Sequence, residues 1–349
     1  MRERFVRCLG TSIIAAAMVA MGAGMGRAQD VVNFGYLNLV GDIPFLFADE
    51  AGYFKQENIQ VNFVQFDSAA KMIPALGVGQ LDAGVGSANA ALYNAVARGI
   101  GIKIVADKAR FAPGYGSQAL MVRKDLIDSG AFKSLADLKG RKVAMISTAT
   151  NEASAMNEAM LSVGLTFNDF QKLLIPQPQQ TVAFQNGAIE ASIASEPFVS
   201  ILVKSNLAVR FAGTDVFYPN AQTGVLFYGD LFIKKRKDVA ARFMCAYIRG
   251  LRAYNDALKD GYLAGPGSED MISVITKRTN VTDRDLVKSM IAIAVDPNGE
   301  VGVESLKKDF EFFKKQGQLE GQVTVEQVLD RSFATDAVKV LGAYRKSGS

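Results

Sequence analysis

Most side chains that could bind or act on a small molecule lie where a predicted strand passes into a predicted helix. The 349 residues include no histidine, so the commonest general base and the commonest transition-metal ligand are both missing. Ser–His and Cys–His nucleophile systems are therefore excluded. An enzyme would have to depend on carboxylates, Lys or Tyr alone, and we expect no cofactor or metal.

Hydroxyl and amide side chains occupy such junctions in both halves of the chain. They are Ser68, Ser87, Asn89, Thr148, Thr150 and Asn151. The two serines could bind a ligand directly or simply cap helices. The threonines and Asn151 belong to one polar loop, which can donate hydrogen bonds to an anionic or carbonyl group.

The elements that must position these residues alternate between strands and helices. Strands are predicted at 31–38, 59–66, 81–86 and 142–146. Helices are predicted to begin near Asp42, after Ser68, after Ser87 and near Glu152. This order predicts an α/β fold with parallel sheets flanked by helices.

An internal match indicates that the same unit occurs twice. Residues 75–87 align without gaps with residues 183–195, and each segment reads as a helix end, a Gly turn, an apolar–acid–Ala strand entry and a serine. Two similar lobes would face each other across a cleft, with polar loops at the carboxyl ends of their strands. Asp42 would lie there, either binding a ligand ammonium or ring N–H or forming an exposed helix cap.

The N-terminus predicts export. Arg2, Arg4 and Arg7 precede an apolar run at 13–25 and small residues before Gln29. This is the pattern of a cleavable signal peptide over residues 1–28, and the run is too short to span a bilayer. We therefore expect a periplasmic protein.

The charge balance argues against nucleic-acid binding. Residues 1–28 hold four of the 39 Lys and Arg residues and one of the 35 Asp and Glu residues, so 35 basic and 34 acidic residues remain, a net charge of +1. No basic block with interleaved aromatic residues occurs in the sequence.

Five stretches resemble the nitrate/sulfonate/taurine-type substrate-binding proteins of ABC importers, a family that also includes binders of a thiamine pyrimidine precursor. The stretches are 43–57, 79–84, 134–144, 195–198 and 329–333. The second is similar to the family's Gly-x-x-Asp-x-Gly turn, and the fourth reads Ser-Glu-Pro-Phe. They occur in order, and the likeness extends over nearly the whole mature chain.

The resemblance implies a two-lobed periplasmic-binding fold of type II, with a mixed, mostly parallel sheet in each lobe. We expect hinge crossovers near residues 116–120 and 223–227. Residues 29–117 and 225–349 would form lobe one, and residues 118–224 would form lobe two. Hinge closure would capture a small-molecule ligand, and the monomeric protein would deliver it to an ABC permease in the inner membrane.

Four further site residues are predicted within this fold. Phe45 lies in the first family-like stretch, Tyr115 and Ser117 lie at the first crossover, and Glu196 lies in the Ser-Glu-Pro-Phe motif. Tyr115 would stack on the ligand or cover the hinge. Glu196 would close the lobes or face the ligand. Because no Arg falls in the cleft loops, a neutral or singly charged solute (a sulfonate, amine, heterocycle or small organic acid) is favoured over a doubly charged anion.

Two other functions remain open at this point. A sensory module that reports its ligand to a membrane signalling protein would use the same cleft. An exported pyrimidine-related enzyme is disfavoured, because the related synthase relies on active-site His.

Overall fold

The computed structural model describes residues 28–347, which form two five-stranded sheets, each flanked by helices, and a small hairpin. The predicted signal peptide, apart from its last residue, lies outside the described residues. In chain order the strands are β1 (Asp30–Tyr36), β2 (Ile59–Gln65), β3 (Ala83–Gly86), β4 (Ile102–Arg110), β5 (Gln118–Arg123), β6 (Lys142–Met145), β7 (Gln171–Leu174), β8 (Ala191–Ser195), β9 (Ala208–Gly213), β10 (Gln222–Gly229), β11 (Leu258–Lys259) and β12 (Tyr262–Leu263).

Helices connect the strands and cover the faces of both sheets. They are α1 (Ile43–Glu50), α2 (Tyr53–Gln56), α3 (Ala69–Gly77), α4 (Ala90–Ala97), α5 (Lys124–Asp128), α6 (Asn151–Leu161), α7 (Gln177–Gln185), α8 (Phe198–Lys204), α9 (Thr214–Phe217), α10 (Asp230–Lys235), α11 (Lys237–Ala257), α12 (Ser268–Arg278), α13 (Arg284–Ser289), α14 (Val303–Lys315), α15 (Val325–Val328) and α16 (Ser332–Leu341), with single 3₁₀ turns at Val40–Asp42 and Leu135–Leu138. No helix within residues 28–347 is both long enough and apolar enough to cross a membrane.

The two sheets have the same wiring, which confirms the predicted two-lobed α/β fold. The first has the order β2-β1-β3-β10-β4 and the second the order β7-β6-β8-β5-β9. In each, three neighbouring strands are parallel and the fourth strand runs antiparallel to both of its neighbours. The antiparallel strands, β5 and β10, are the ones that follow a crossover between the sheets.

The sequence match between the halves has a structural basis. In the first segment, Asp82 Oδ2 accepts a hydrogen bond from Asn33 N in β1 at 2.9 Å. In the second, Glu190 Oε2 accepts one from Lys142 N in β6 at 3.0 Å. Each acid, just before its own strand, thus binds the backbone of the neighbouring parallel strand, at the middle of β1 in lobe one and at the first residue of β6 in lobe two. The acidic position of the family-like turn is therefore structural in both lobes.

Two adjacent segments carry the chain between the sheets. Residues 111–117 link β4 to β5, and residues 214–221 link β9 to β10. They are tied together by hydrogen bonds from Phe111 N to Ala221 O (3.0 Å) and from Asn220 N to Phe111 O (2.7 Å). The second crossover comes before residues 223–227, because Gln222 already pairs with β4. The predicted lobe boundaries otherwise stay a prediction.

Helix α14 contacts both lobes, although its position in the sequence predicts lobe one. The Phe312 ring lies 5.2 Å from the Phe167 ring of lobe two. The Phe310 ring lies 5.0 Å from the Tyr93 ring of α4 in lobe one. The aromatic residues of α14 therefore join the two lobes.

Candidate functional site

The carboxyl ends of the parallel strands in the two lobes face each other. Five of the loops that leave these ends are residues 37–42, 66–68 and 87–89 in lobe one and residues 146–150 and 195–197 in lobe two; we call these five the cleft loops. Ala90 N donates to Ala149 O across the lobes at 3.3 Å. Gln318 Nε2, in the loop after α14, donates to Thr148 O at 2.8 Å. The predicted loops are therefore brought together.

In lobe one the structure corrects the assignment of a helix cap. Asn89, not Ser87, caps α4, and its Oδ1 accepts a hydrogen bond from Leu92 N at 3.0 Å. Asn89 has the extended backbone of a cap residue, and an amide oxygen there satisfies a first-turn N–H. Ser68 precedes α3 without making a side-chain cap bond. Ser68 and Ser87 are both half-buried beside this edge.

In lobe two the polar loop leads into the eleven-residue helix α6. Thr150 precedes the helix but does not cap it, and its Oγ1 is buried without a hydrogen-bond partner among the described residues. Asn151 is the first helical residue and is nearly buried. The first N–H groups of a helix have no intrahelical acceptor and favour negative charge. This end of α6 can therefore donate hydrogen bonds to an acceptor in the cleft.

Glu152 is a site-adjacent group that sequence reasoning treated only as a helix start. Its Oε1 accepts a hydrogen bond from Ile146 N at 3.0 Å, while its Oε2 is buried without a partner in the described structure. Burial raises the pKa of Glu152 to about 8, against the smaller opposing effect of the Ile146 hydrogen bond. The group is consequently mostly neutral at pH 7, and α6 presents little negative charge beside the cleft.

Asp42 is completely buried, so the interpretation of an exposed helix cap is wrong. Its Oδ2 accepts hydrogen bonds from Leu37 N and Leu39 N, both at 3.1 Å. Its Oδ1 lies 2.8 Å from Lys108 Nζ. The carboxylate thus holds the loop after β1 and forms an ion pair, and these internal partners leave it poorly placed for a ligand ammonium.

Lys108 is the partner that the sequence analysis missed. It lies near the carboxyl end of β4, on the cleft side of the first sheet, and is 5% exposed. A lysine is rarely so buried unless it is paired. The sequence does not single it out, because β4 carries three other charged residues, Lys103, Asp107 and Arg110.

The remaining lobe-one candidates, Phe45, Tyr115 and Ser117, are buried to different degrees. Phe45 is completely buried, and its ring stacks on Tyr247 at 3.8 Å. It is therefore a core residue, and its predicted place in the cleft is corrected. Tyr115 is half-buried and packs against the lobe-one core. Ser117 is nearly buried, and its carbonyl accepts a hydrogen bond from Glu196 N at 2.9 Å.

Glu196 connects the two lobes. It accepts hydrogen bonds from Ser200 N (3.0 Å), Ser200 Oγ (2.9 Å) and Ile291 N (3.2 Å), the last in the lobe-one segment before α14. Burial raises the pKa of Glu196, and its hydrogen bonds and the nearby Arg210 charge oppose that shift. Arg210 was also missed, and its Nε is buried without a hydrogen-bond partner among residues 28–347.

Two other features do not support a site. Within the described part of the chain no group of three or more His, Cys, Asp or Glu side chains could hold a metal ion. Two open surface pockets, of about 530 and 450 Å³, lie beside Arg123 and beside Lys55. Both are open, and none of the residues that line them belongs to the cleft loops.

The comparisons with known proteins agree with this architecture. A putative aliphatic sulfonates-binding protein of Escherichia coli (strain K12) is 27% identical over 158 residues, which cover 45% of this chain and 47% of the relative. The chain therefore matches about half the length of this curated relative.

Solved structures share the fold at low sequence identity. The alkanesulfonate-binding protein SsuA from Xanthomonas axonopodis pv. citri, bound to MOPS, has a TM-score of 0.67 and 16% identity, covering 86% of this chain and 98% of that one. The nitrate-binding protein NrtA from Synechocystis PCC 6803 has a TM-score of 0.72 and 13% identity, covering 90% and 89%. The desulfurization enzyme DSZB has a TM-score of 0.60 and 14% identity, covering 90% and 100%. The fold alone therefore does not separate binding proteins from enzymes.

The family comparison is broader. The family model described as NMT1/THI5 like matches residues 41–260, which include β3, β8, both crossovers and all the cleft loops except the first few residues of the loop after β1. This match spans more than half of the chain. The chain therefore belongs to the NMT1/THI5-like family.

Proposed function

We propose that this chain is the periplasmic solute-binding component of an ABC importer. It captures a small organic solute between its lobes and delivers it, as a monomer, to a permease in the inner membrane. The observation that carries the proposal is the meeting of hydroxyl-, amide- and N–H-bearing loops from both lobes, within hydrogen-bond distance, at the carboxyl ends of their strands. Ligands of open α/β sheets bind at such ends.

The proposal of a binding protein over an enzyme rests on the chemistry of the cleft loops. The curated relative is a binding protein, and the chain has no histidine for acid–base work near pH 7. Asp42 and Glu196, the two carboxylates predicted to face the cleft, have several internal partners each. Nothing in the cleft loops favours a signalling role over transport.

Thr150→Val provides the test of capture. The valine has nearly the same shape, and the hydroxyl that it removes has no partner in the described structure, so folding should change by less than about 1 kcal/mol. A hydrogen bond to a charged ligand contributes about 1.5–3 kcal/mol. We therefore expect a tenfold or larger loss of affinity with little change in the melting temperature of the free protein.

The measurement is a dye-based thermal-shift screen of the mature chain against sulfonates, amines, pyrimidines, small organic acids and inorganic oxyanions, because the chain has no Trp to report binding. A ligand at a hundred times its Kd stabilises by about 2.7 kcal/mol. Thr335→Val, at an exposed position on α16, is the control. A failure of every solute class to shift the wild type would contradict the proposal.

Gln318→Ala should weaken binding by loosening the closed state. The change removes the hydrogen bond from Nε2 to Thr148 O, which spans the lobes beside Thr150. The net contribution of such a bond is about 1 kcal/mol, or roughly a fivefold loss of affinity. We expect the loss to appear as faster ligand dissociation in stopped-flow measurements.

The matched control for this loop is Gln316→Ala, two residues earlier. Its side chain makes no hydrogen bond in the described part of the chain, so its dissociation rate should equal that of the wild type. An unchanged rate in Gln318→Ala would show that the bond to Thr148 plays no part in closure.

A further inference from the structure

We infer that Lys108 is the charged group that selects the ligand, that Asp42 is its positioning residue, and that the ligand's bound group is therefore a singly charged organic oxyanion, a sulfonate or a carboxylate. This inference rests on the proposed function and deepens it. It reverses the expectation that Asp42 itself binds a ligand ammonium or ring N–H.

The backbone around Lys108 leaves room for its side chain. A Cβ placed on Gly41, in the loop after β1, would lie 3.3 Å from Lys108 Nζ. A Cβ placed on Gly224, in β10, would lie 2.8 Å from Lys108 Cδ. Any larger residue at Gly224 would therefore have to displace the lysine stem. Two glycines thus flank a lysine whose ammonium reaches the turn before α1.

The hydrogen-bonding capacity of the pair is unequal. Asp42 Oδ2 accepts hydrogen bonds from Leu37 N and Leu39 N, and Oδ1 lies 2.8 Å from Lys108 Nζ as the oxygen of the ion pair, with no other partner in the described structure. An ammonium has three N–H donors and no acceptor, and Asp42 is the only ion-pair partner of Lys108 among the described residues. The lysine thus retains donors for a ligand oxygen, whereas the one aspartate oxygen that makes no hydrogen bond already faces the ammonium.

The charges around the cleft favour an anion of low charge. The Asp42–Lys108 pair is neutral overall, Glu152 is mostly uncharged at pH 7, and the end of α6 presents free N–H groups. An ammonium ligand would meet Lys108 and the α6 end, both positive. An oxyanion would receive hydrogen bonds from both lobes and so would favour closure.

The test must separate binding from folding, because removing one partner of a buried ion pair leaves the other charge uncompensated. We would therefore compare Asp42→Asn alone with Asp42→Asn/Lys108→Met. Both keep an oxygen for Leu37 N and Leu39 N, and only the double variant lacks the ammonium. Butanesulfonate, butanoate, butylamine and butanol serve as calorimetric probes, and thermal melts verify folding.

The expected result is that the wild type binds an anionic probe, that Asp42→Asn binds it more weakly because the ammonium is no longer held by a carboxylate, and that the double variant loses at least tenfold in affinity relative to the wild type. Comparison of butanesulfonate with butanoate assigns the oxyanion. Equal anion affinity in all three proteins would overturn the inference alone and leave the proposed function intact. Preferred binding of butylamine or butanol would also overturn it. A wild type that binds no probe, and no solute in the wider screen, would contradict the proposed function itself.

Discussion

Glu152→Gln is expected to make the protein progressively more stable than the wild type as the pH rises from about 5 to 8. Burial raises the pKa of Glu152 from 4.5 to about 8. Above pH 4.5 the unfolded chain releases this proton and the folded chain retains it, so the wild type loses stability until the pH passes about 8. Glutamine keeps the acceptor for Ile146 N and does not titrate.

The expected effect is large for a single group. Each pH unit within this window changes the free energy of unfolding by up to about 1.4 kcal/mol, so the full window amounts to a few kcal/mol. Urea melts of both proteins at pH 5, 6.5, 8 and 9 measure it. The two stability curves should diverge up to pH 8 and run parallel above it.

Glu304→Gln is the control, because the Glu304 side chain is 91% exposed and should leave the pH dependence unchanged. The effect of Glu152 is the difference between the wild-type and Glu152→Gln stability curves, because other buried acids also lower the stability of both proteins as the pH rises. Burial raises the pKa of Asp309 to about 7 and that of Asp107 to about 6. Curves for Glu152→Gln and wild type that stay parallel from pH 5 to 9 would show that Glu152 is ionised in the folded protein.

The architecture was predictable because it depends on local and repeated patterns. Strand–helix alternation and the repeat of 75–87 in 183–195 predicted two lobes. Each segment contains a strand, β3 or β8, and the two strands occupy equivalent places in their sheets. The cleft loops followed from the rule that strand carboxyl ends share one edge. Ser134 and Asp137, in one of the five family-like stretches, form a capping box at the 3₁₀ turn Leu135–Leu138.

The pairings within the site were not predictable, because they join residues that are far apart in the sequence. Nothing near Asp42 indicates that Lys108 approaches it, and without that partner an aspartate before a proline-containing helix start looks like an exposed cap. The position of α14 was unpredictable for the same reason. Its aromatic side chains indicate an apolar face, but the contact between Phe312 and Phe167 depends on how the two lobes meet. Long-range packing decides both.

Phe45→Ala is expected to destabilise the protein strongly without changing the ligand affinity of the folded molecules. The Phe45 ring is completely buried, lies parallel to Tyr247 at 3.8 Å and contacts Phe34 at 4.6 Å. Truncating a buried Phe costs about 3–5 kcal/mol, because apolar contacts are lost and a cavity remains. Urea unfolding monitored by circular dichroism gives the free-energy change, and calorimetry below the transition gives the affinity.

If Phe45 is a core residue, its substitution should lower stability; if it lies in the cleft, its substitution should lower ligand affinity. Phe45→Leu should recover part of the lost stability, because it refills some of the cavity. Tyr262→Ala, which removes an aromatic ring that is 40% exposed, should cost much less. If Phe45→Ala weakened binding severalfold while leaving the free energy of unfolding nearly unchanged, the ring would have to contact the ligand. Its stacking on Tyr247 leads us to expect the reverse, with α1 acting as the rigid support on which Asp42 holds Lys108.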